Sequence, residues 1–552
     1  MNVAEYLANF LVSKHVNQVF GYQGGAVLKL IDSISRTNKI QFIQNFNEQA
    51  AAFAANAQGQ IRNDIGVAIA TSGPGATNLI TGIANAYFDS VPVMFITGQD
   101  YLHNIKNRRQ ARQNGFQDLN IVELVKEITK YSIMIDDPNS IKYELEKAYY
   151  YAMSGRKGPV LIDIPIDIQF CDVNKDLLKE FREIEQVEYK SKIKNIISIL
   201  KVAKSPVILV GNGVRLADAI DEFSLFVDNL GIPVVTTLSG IDIYTHRIGF
   251  SGLYGNTAAN LAILNSDVLL ILGARLSQRQ IGKEPWKYTK AKKIIHVDID
   301  ANELNRVLQS HICLKQDLKS FLIGMNNSLS SLDSSMYRLW IKKVASWKEK
   351  YKLTTVINKK YVDPVLFVNN ISRYFTQKSI ITSDVGQNQM WVAQGIILQK
   401  QNRLLNSAGL GSMGYSLPAA IGASYMVNDV IISFSGDGGF LMNLQELNFL
   451  SLLHRNIKCI IFNNSSLGMM REVQKRYYDE NYIGTNKESF SCPNLQKLAE
   501  AFNLKYIKIE NNSQFNKLAR VFSDKDPWIV DVKVQYDSKL LNRYDDKALQ
   551  NG

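Results

Sequence analysis

GDGGFLMNLQELNFLSLLHRNIKCIIFNN, residues 436–464, begins with an aspartate held between glycines and ends in a pair of asparagines. The residues just before it, DVIISFSG, form an apolar run rich in β-branched side chains that stops at glycine, the pattern of a buried strand. LMNLQELNFLSLL carries apolar residues at helical spacing and predicts an amphipathic helix. IKCIIF predicts a second buried strand. Strand, glycine turn, helix, strand is a βαβ crossover, which implies a parallel sheet. The turn and the end of the second strand both lie at the carboxyl edge of that sheet, where open α/β sheets bind ligands. Asp437 and Asn464 then stand on neighbouring strand ends and can converge on one point. Their oxygens are hard ligands suited to Mg²⁺ or Ca²⁺, and magnesium held by few protein groups takes the rest from water and a ligand's phosphates. Gly436, Gly438 and Gly439 allow backbone N–H groups to approach such phosphates at a helix N-terminus. GDG alone is satisfied by a tight turn. GDG, the crossover and the closing asparagines at this spacing point to a diphosphate with its metal.

The chain has 552 residues, too many for one core and enough for about three domains. Its 46% hydrophobic and 21% charged content is that of a soluble globular protein. No run has the eighteen or so apolar residues of a membrane span, so no membrane association is expected. The start, MNVAEYLANFLVSKHVNQVFGYQGG, predicts a helix running into a strand, not a signal peptide. Cys171, Cys313, Cys459 and Cys492 are far apart with no CxxC pair, which argues against disulfides and zinc and fits a reducing cytoplasm. The formal charge of +12 suits small anionic ligands, while no arginine cluster interleaves with aromatics, so no nucleic-acid partner is expected.

Three blocks follow one another, each alternating apolar runs with helical stretches: residues 1–170, 190–325 and 360–535, with a tail at 536–552. The charged tract 171–190 and the serine-rich, then charged, tract 325–360 read as linkers. The expected fold class is α/β, with three doubly wound parallel-sheet domains. In the first block, QFIQNFNEQAAAFAANAQGQ places Glu48 where a strand passes into a strongly apolar helix, so a partly desolvated carboxylate is expected there. On its own, such a glutamate is equally served by the dipole of its helix.

FGYQGGA, FNEQAAAFAA, TSGPGATNLITGIANAYFDSVPV, GRKGPVLIDIPIDIQ, SDVGQNQMW, GLGSMGYSLPAAIGA and GDGGFLMNLQEL occur in order along the chain. Together they resemble the large, catalytic subunit of thiamine diphosphate (ThDP) enzymes of the acetohydroxyacid synthase (acetolactate synthase) type, over nearly the whole length. The resemblance implies a pyrimidine-binding first domain, a central domain and a diphosphate-binding third domain. It implies Mg²⁺ held by Asp437, Asn464 and the Ser466 carbonyl. It assigns ThDP contacts to Tyr22, Gly24 and Gly25, to Gly386, Gln387 and Asn388, to Gly411 and Met413, to Gly436, Gly438 and Gly439, and to Leu467, Gly468 and Met469. Met413 would hold the cofactor bent from below. Glu48 would hydrogen-bond the aminopyrimidine and drive proton removal at the reacting carbon, a task suited to a carboxylate working through a cofactor. Gln117, with Phe116, matches the substrate side. In the central domain Gly211, Gly213, Thr237, Leu238, Gly273, Arg275, Asp298 and Asp317 match contacts to FAD; a central domain that keeps its strands and binds ADP or nothing is the alternative. In this family each site draws on two subunits, so at least a homodimer is implied; a regulatory subunit is left open.

Several positions depart from the family: Gln23 for proline, Ile166 for lysine, Leu253 for methionine, Leu276-Ser277-Gln278 for Phe-Asp-Asp, Asn388 for histidine and Val473 for tryptophan. Arg279, matching the residue thought to bind the carboxylate of the second keto acid, is kept. The departures gather on the acceptor side. The resemblance therefore implies pyruvate as donor, decarboxylation, and transfer of the two-carbon unit to a carbonyl acceptor, with acetolactate as the leading product. A larger ketone such as a nucleotide-linked keto sugar, a simple 2-keto-acid decarboxylase and a non-catalytic scaffold are the rival readings. Intact Glu48, Asp437 and Asn464 speak against the last.

Overall fold

The structure, a computed structural model, describes residues 1–107, 110–183, 192–329, 334–352 and 360–540. Parts of both expected linkers and residues 541–552 of the expected tail lie outside them. The described residues form three sheets. The first contains β1 Gln18–Gly21, β2 Gln41–Gln44, β3 Gly66–Ala70, β4 Val93–Gln99, β5 Tyr131–Met134 and β6 Val160–Pro165, in the order β2-β1-β3-β4-β6-β5. The second contains β7 Pro206–Val210, β8 Val234–Thr236, β9 Val268–Leu272, β10 Lys293–Asp298 and β11 Ile312–Lys315, ordered β11-β10-β9-β7-β8. The third contains β12 Ile380–Ser383, β13 Arg403–Asn406, β14 Ile431–Gly436, β15 Ile457–Asn463, β16 Lys505–Ile509 and β17 Trp528–Lys533, ordered β13-β12-β14-β15-β17-β16. All pairings are parallel. The first and third sheets thus have one connection pattern. Strands such as VLLIL and GVAIA are apolar throughout because helices cover both faces of a parallel sheet.

The first and third domains share a core. The helix Glu48–Arg62 lies against the helix Ser416–Ala423, and Ala51–Ala55 and Ala419–Ala423 meet in one buried cluster. Their small residues let the backbones approach: a side chain at Gly422 would stand 2.3 Å from the Ala54 carbonyl oxygen. Two expectations need correction. The stretch Leu441–Leu453 is not one helix: it divides into Asp437–Leu441, the 3₁₀ turn Leu444–Glu446 and Leu447–Leu453. Asn443 breaks it by donating from Nδ2 to the Gly414 carbonyl at 2.8 Å, with φ −133°. Part of the 325–360 tract is also built into the central domain. Helix Arg338–Lys350 buries Trp340 and Val344 there, and Trp340 Nε1 donates to the Pro206 carbonyl at 3.0 Å.

All three domains meet at Asp242, which follows β8 and is buried. Its carboxylate accepts from Arg403 Nε at 2.8 Å and from the Leu404 amide at 3.1 Å, and it pairs with Arg215 Nη2 at 3.3 Å. Arg403 in turn donates from Nη2 to the Gln60 carbonyl of the first domain at 3.0 Å. Burial alone would raise the Asp242 pKa, but Arg215 and Arg403 outweigh it and hold the carboxyl below its ordinary range. Asp242→Asn leaves two guanidinium groups facing a neutral amide. It should cost about 3–5 kcal/mol in chemical denaturation, the usual scale for breaking a buried pair. Because the native pKa is depressed, the wild-type advantage is full at neutral pH and should shrink as pH falls below about 4.

Candidate active site

β14 and β15 are neighbours in register, Gly436 opposite Phe462, so Asp437 and Asn464 emerge side by side at the carboxyl edge. Asp437 starts the helix Asp437–Leu441 and is buried. One oxygen accepts from the Gly438 amide at 2.8 Å, and the other from the Ser466 amide at 3.3 Å. The same Ser466 amide donates to Asn464 Oδ1 at 3.2 Å, so Asp437, Asn464 and Ser466 form one cluster. Ser465 turns the chain there at φ +49°, within the left-handed region. Burial pushes the Asp437 carboxyl up to about 7 against these backbone donors; a cation in the cluster would keep it ionised.

Around that cluster lie buried polar atoms without a protein partner: Gln387 Oε1, Asn388 Oδ1, Ser412 Oγ and Ser466 Oγ. Buried polar atoms are normally paired, so several unpaired ones on neighbouring segments suit a polar ligand. Gln387 is itself held, donating from Nε2 to the Ser538 carbonyl at 2.9 Å. A side chain at Gly468 would stand 2.0 Å from Gln387 Oε1. Gly386 and Gly411 have φ of +139° and +78°, backbone conformations that favour glycine, and Gly386 lies against Asn388. The Met413 methyl and the Leu467 side chain close over Gly438, at 3.5 Å and 2.6 Å from where a side chain on it would begin. Gly439 abuts Asp384, whose carboxyl accepts from the Gly414 and Ser416 amides at 3.0 Å each and fixes the Gly411–Gly414 turn. Met469 packs in part against the third domain's core. These residues, with the unpaired oxygens, fit a metal-bound diphosphate.

A second cluster forms at the edge of the first sheet. Glu48 is buried at the first position of its helix, as expected, and Oε2 accepts from Asn78 Nδ2 at 2.9 Å. Gly75 lies between Glu48 Oε1 and Thr71, and Gly24 abuts the same Thr71, bringing the Tyr22–Gly25 loop alongside; Tyr22 is exposed. Gln117, at φ +60°, packs against Gly73, while Phe116 is 84% exposed. No described hydrogen bond joins Glu48 to the Asp437 cluster. Asn78, Asp384 and Glu446 were not singled out from the sequence, although all three lie inside quoted motifs, ATNLI, SDVG and NLQEL; their polar residues are conspicuous only once the chain is folded.

The third assembly is a cavity of about 420 Å³ at the carboxyl ends of β7, β8, β9 and β10. Gly211, Gly213, Thr237, Leu238, Gly273, Arg275, Asp298 and Asp317 all line it, as does Arg279. Gly213 donates its amide to the Gly273 carbonyl at 3.1 Å, so the β7 and β9 loops cross with no room for side chains, where the strand order reverses. The first domain supplies Asp89 and Arg156, and the third Met390 and Asn406. Burial pushes the Asp298 carboxyl up to about 6. Arg279 is open to the cavity yet ringed by protein, and burial lowers its pKa; its described partners are Gln389 Oε1 at 3.2 Å and Met390 Sδ at 3.9 Å, both uncharged.

The chain matches the thiamine pyrophosphate enzyme N-terminal TPP binding domain over residues 1–124, the central domain over 193–325 and the C-terminal TPP binding domain over 384–532. It is 35% identical to an acetolactate synthase large subunit of Cyanidium caldarium, covering 96% of this chain and 92% of that one. It is 35% identical to the acetolactate synthase large subunit of Lactococcus lactis, covering 95% and 91%. It is 33% identical to the Escherichia coli acetolactate synthase isozyme 2 large subunit, covering 97% and 96%.

Asp437→Asn keeps the shape of the cluster but removes its only carboxylate. It should weaken Mg²⁺-dependent ThDP binding by about 100-fold or more in calorimetry, since even outer partners of a metal ligand are worth about 10–100-fold. Unchanged binding would remove Asp437 from the metal site.

Proposed function

Because the chain belongs to the acetolactate synthase large-subunit family of thiamine pyrophosphate enzymes, we propose that it decarboxylates pyruvate and joins the remaining two-carbon unit to a second pyruvate, giving 2-acetolactate and CO₂. The observation that carries this reading is the buried Asp437 cluster surrounded by unpaired oxygens. Bound ThDP supplies an electron sink for the electrons left when CO₂ departs. Asp437, Asn464 and the Ser466 carbonyl would hold the magnesium, and the Gly436–Gly439 turn with Gln387 and Asn388 the diphosphate. Met413 would support the ring system from the position it takes over Gly438. Glu48, kept from water and oriented by Asn78, would hold or release a proton at the aminopyrimidine nitrogen. Gln117 would lie on the substrate side. Arg279, a cation with uncharged partners, suits the carboxylate of a keto-acid acceptor.

The central cavity is proposed to take FAD. All eight residues expected to contact a flavin line it, its size is that of a ligand site, and its crossing glycine loops suit a pyrophosphate. A homodimer is proposed as the working unit: Glu48 and Asp437 anchor separate clusters in one chain, and a second copy would bring opposite halves together. The four free cysteines support a reducing compartment such as the cytoplasm. No described helix is long and apolar enough to cross a membrane.

Purified protein with ThDP, Mg²⁺ and pyruvate should release CO₂ and acetolactate in a one-to-one ratio. Glu48→Gln should bind ThDP and lose both products by about 100-fold or more, the scale of a lost acid–base group. Arg279→Gln should raise the pyruvate KM with CO₂ release less affected. Wild-type protein that binds ThDP and releases no CO₂ would overturn the reading, and colourless protein that takes up no flavin would overturn the FAD assignment.

A further inference from the structure

We propose that Glu446 is the positioning residue for Glu48, reaching from the third domain to fix the bend of chain from which the Glu48 helix starts. The inference rests on the role given above to Glu48. Glu446 lies in the 3₁₀ turn Leu444–Glu446 and has 0% exposure. Its two oxygens cross to the first domain: Oε2 accepts from Asn45 Nδ2 at 3.0 Å, and Oε1 accepts from the Phe46 amide at 2.9 Å. Both donors sit between the end of β2 at Gln44 and the helix at Glu48. The Asn45 amide donates to the Gly21 carbonyl at 2.9 Å, so the bend is tied to the sheet on one side and to Glu446 on the other. Asn47 then caps the helix, accepting from the Gln49 amide at 2.8 Å.

The clamp belongs to the segment that begins at Asp437. Asn443 Nδ2, three residues before Glu446, also reaches Gln49 Oε1 at 3.4 Å while holding the Gly414 carbonyl beside Met413. A buried carboxylate is costly unless it is well hydrogen-bonded, and nothing in the βαβ crossover itself requires one here. Burial pushes the Glu446 carboxyl up to about 7 against the hydrogen bonds from Asn45 and Phe46. Asn45 Oδ1 has no partner. A glutamine at 446 could therefore donate to a turned-over Asn45 amide and still accept from the Phe46 N–H. Glu446→Gln preserves the clamp without its charge, whereas Glu446→Ala removes it.

The test pairs amide hydrogen exchange with steady-state kinetics on the full-length protein. In Glu446→Ala, exchange at residues 45–49 should rise well above that of the wild type, and kcat should fall about 10–100-fold with the pyruvate KM changed less than about threefold, as expected when a reacting group is misplaced. Glu446→Gln should restore the protection and most of kcat. Asn45→Ala, which deletes one of the hydrogen bonds to Glu446, should be intermediate and stands in if Glu446→Ala does not fold. Wild-type exchange at 45–49 in the alanine variants, or a Glu446→Gln protein with protected amides and a kcat as low as Glu446→Ala, overturns the positioning role. The exchange arm needs no turnover, so its result separates failure of this inference from failure of the proposed reaction.

Discussion

The arrangement of the molecule depends on one buried carboxylate. Asp242 neutralises Arg215 of its own domain and Arg403 of the third, and Arg403 binds the first domain's backbone at Gln60. Removing a charge from water is unfavourable unless it is paired and hydrogen-bonded, and the full set of bonds around Asp242 and Arg403 forms only when all three domains are in place. The same junction shapes the central cavity: Gln60 and Leu404, both bonded within this network, line it. A cavity walled by three domains is thereby made a property of the folded chain, not of the central sheet alone.

The two ThDP half-sites are built differently. Each sits at the carboxyl edge of a sheet with the same strand order, one carrying Glu48 and the other Asp437. What joins those sheets within the chain is the close approach of the alanine-rich helices Glu48–Arg62 and Ser416–Ala423, with the Glu446 clamp at one end. That packing brings the two domains together without bringing Glu48 to Asp437 by any described hydrogen bond. Each cluster is supplied with buried polar groups, Asn78 beside Glu48 and the Ser466 amide beside Asp437.

The fold class and most strands were legible because fully buried parallel strands appear as uninterrupted β-branched runs, and glycines mark where they end. Asp437 and Asn464 could be singled out because the strand ends of a βαβ unit lie side by side, whereas Glu48 was given its role only by the family resemblance, since a glutamate at a helix start is equally served by the helix dipole. The broken helix after Leu441 was not legible: its apolar periodicity is continuous, and the interruption comes from the distant Gly414 carbonyl, which competes for Asn443. Short or half-exposed strands such as β5 and β11 lack the unbroken apolar signal. The helix carrying Trp340 was hidden for the opposite reason. Its exposed face is so rich in lysine that the two buried residues, four apart, do not stand out. Glu446 could not be recognised either, because its partners are some 400 residues away.

The unpaired atoms carry information that the paired ones do not. Most buried polar groups in this chain solve a folding problem, as Asp163 does by accepting from Thr97 at 2.7 Å and Gln99 at 3.0 Å. Around Asp437 the pattern is reversed. Gln387 and Asn388 are held in place by one end of the amide and leave the other end without a partner. Leaving a buried acceptor unmatched costs about 1–3 kcal/mol, so several in one place would be removed by drift unless a ligand returned the energy. Any stability lost there through unmatched acceptors would be returned by a polar ligand that bonds to them.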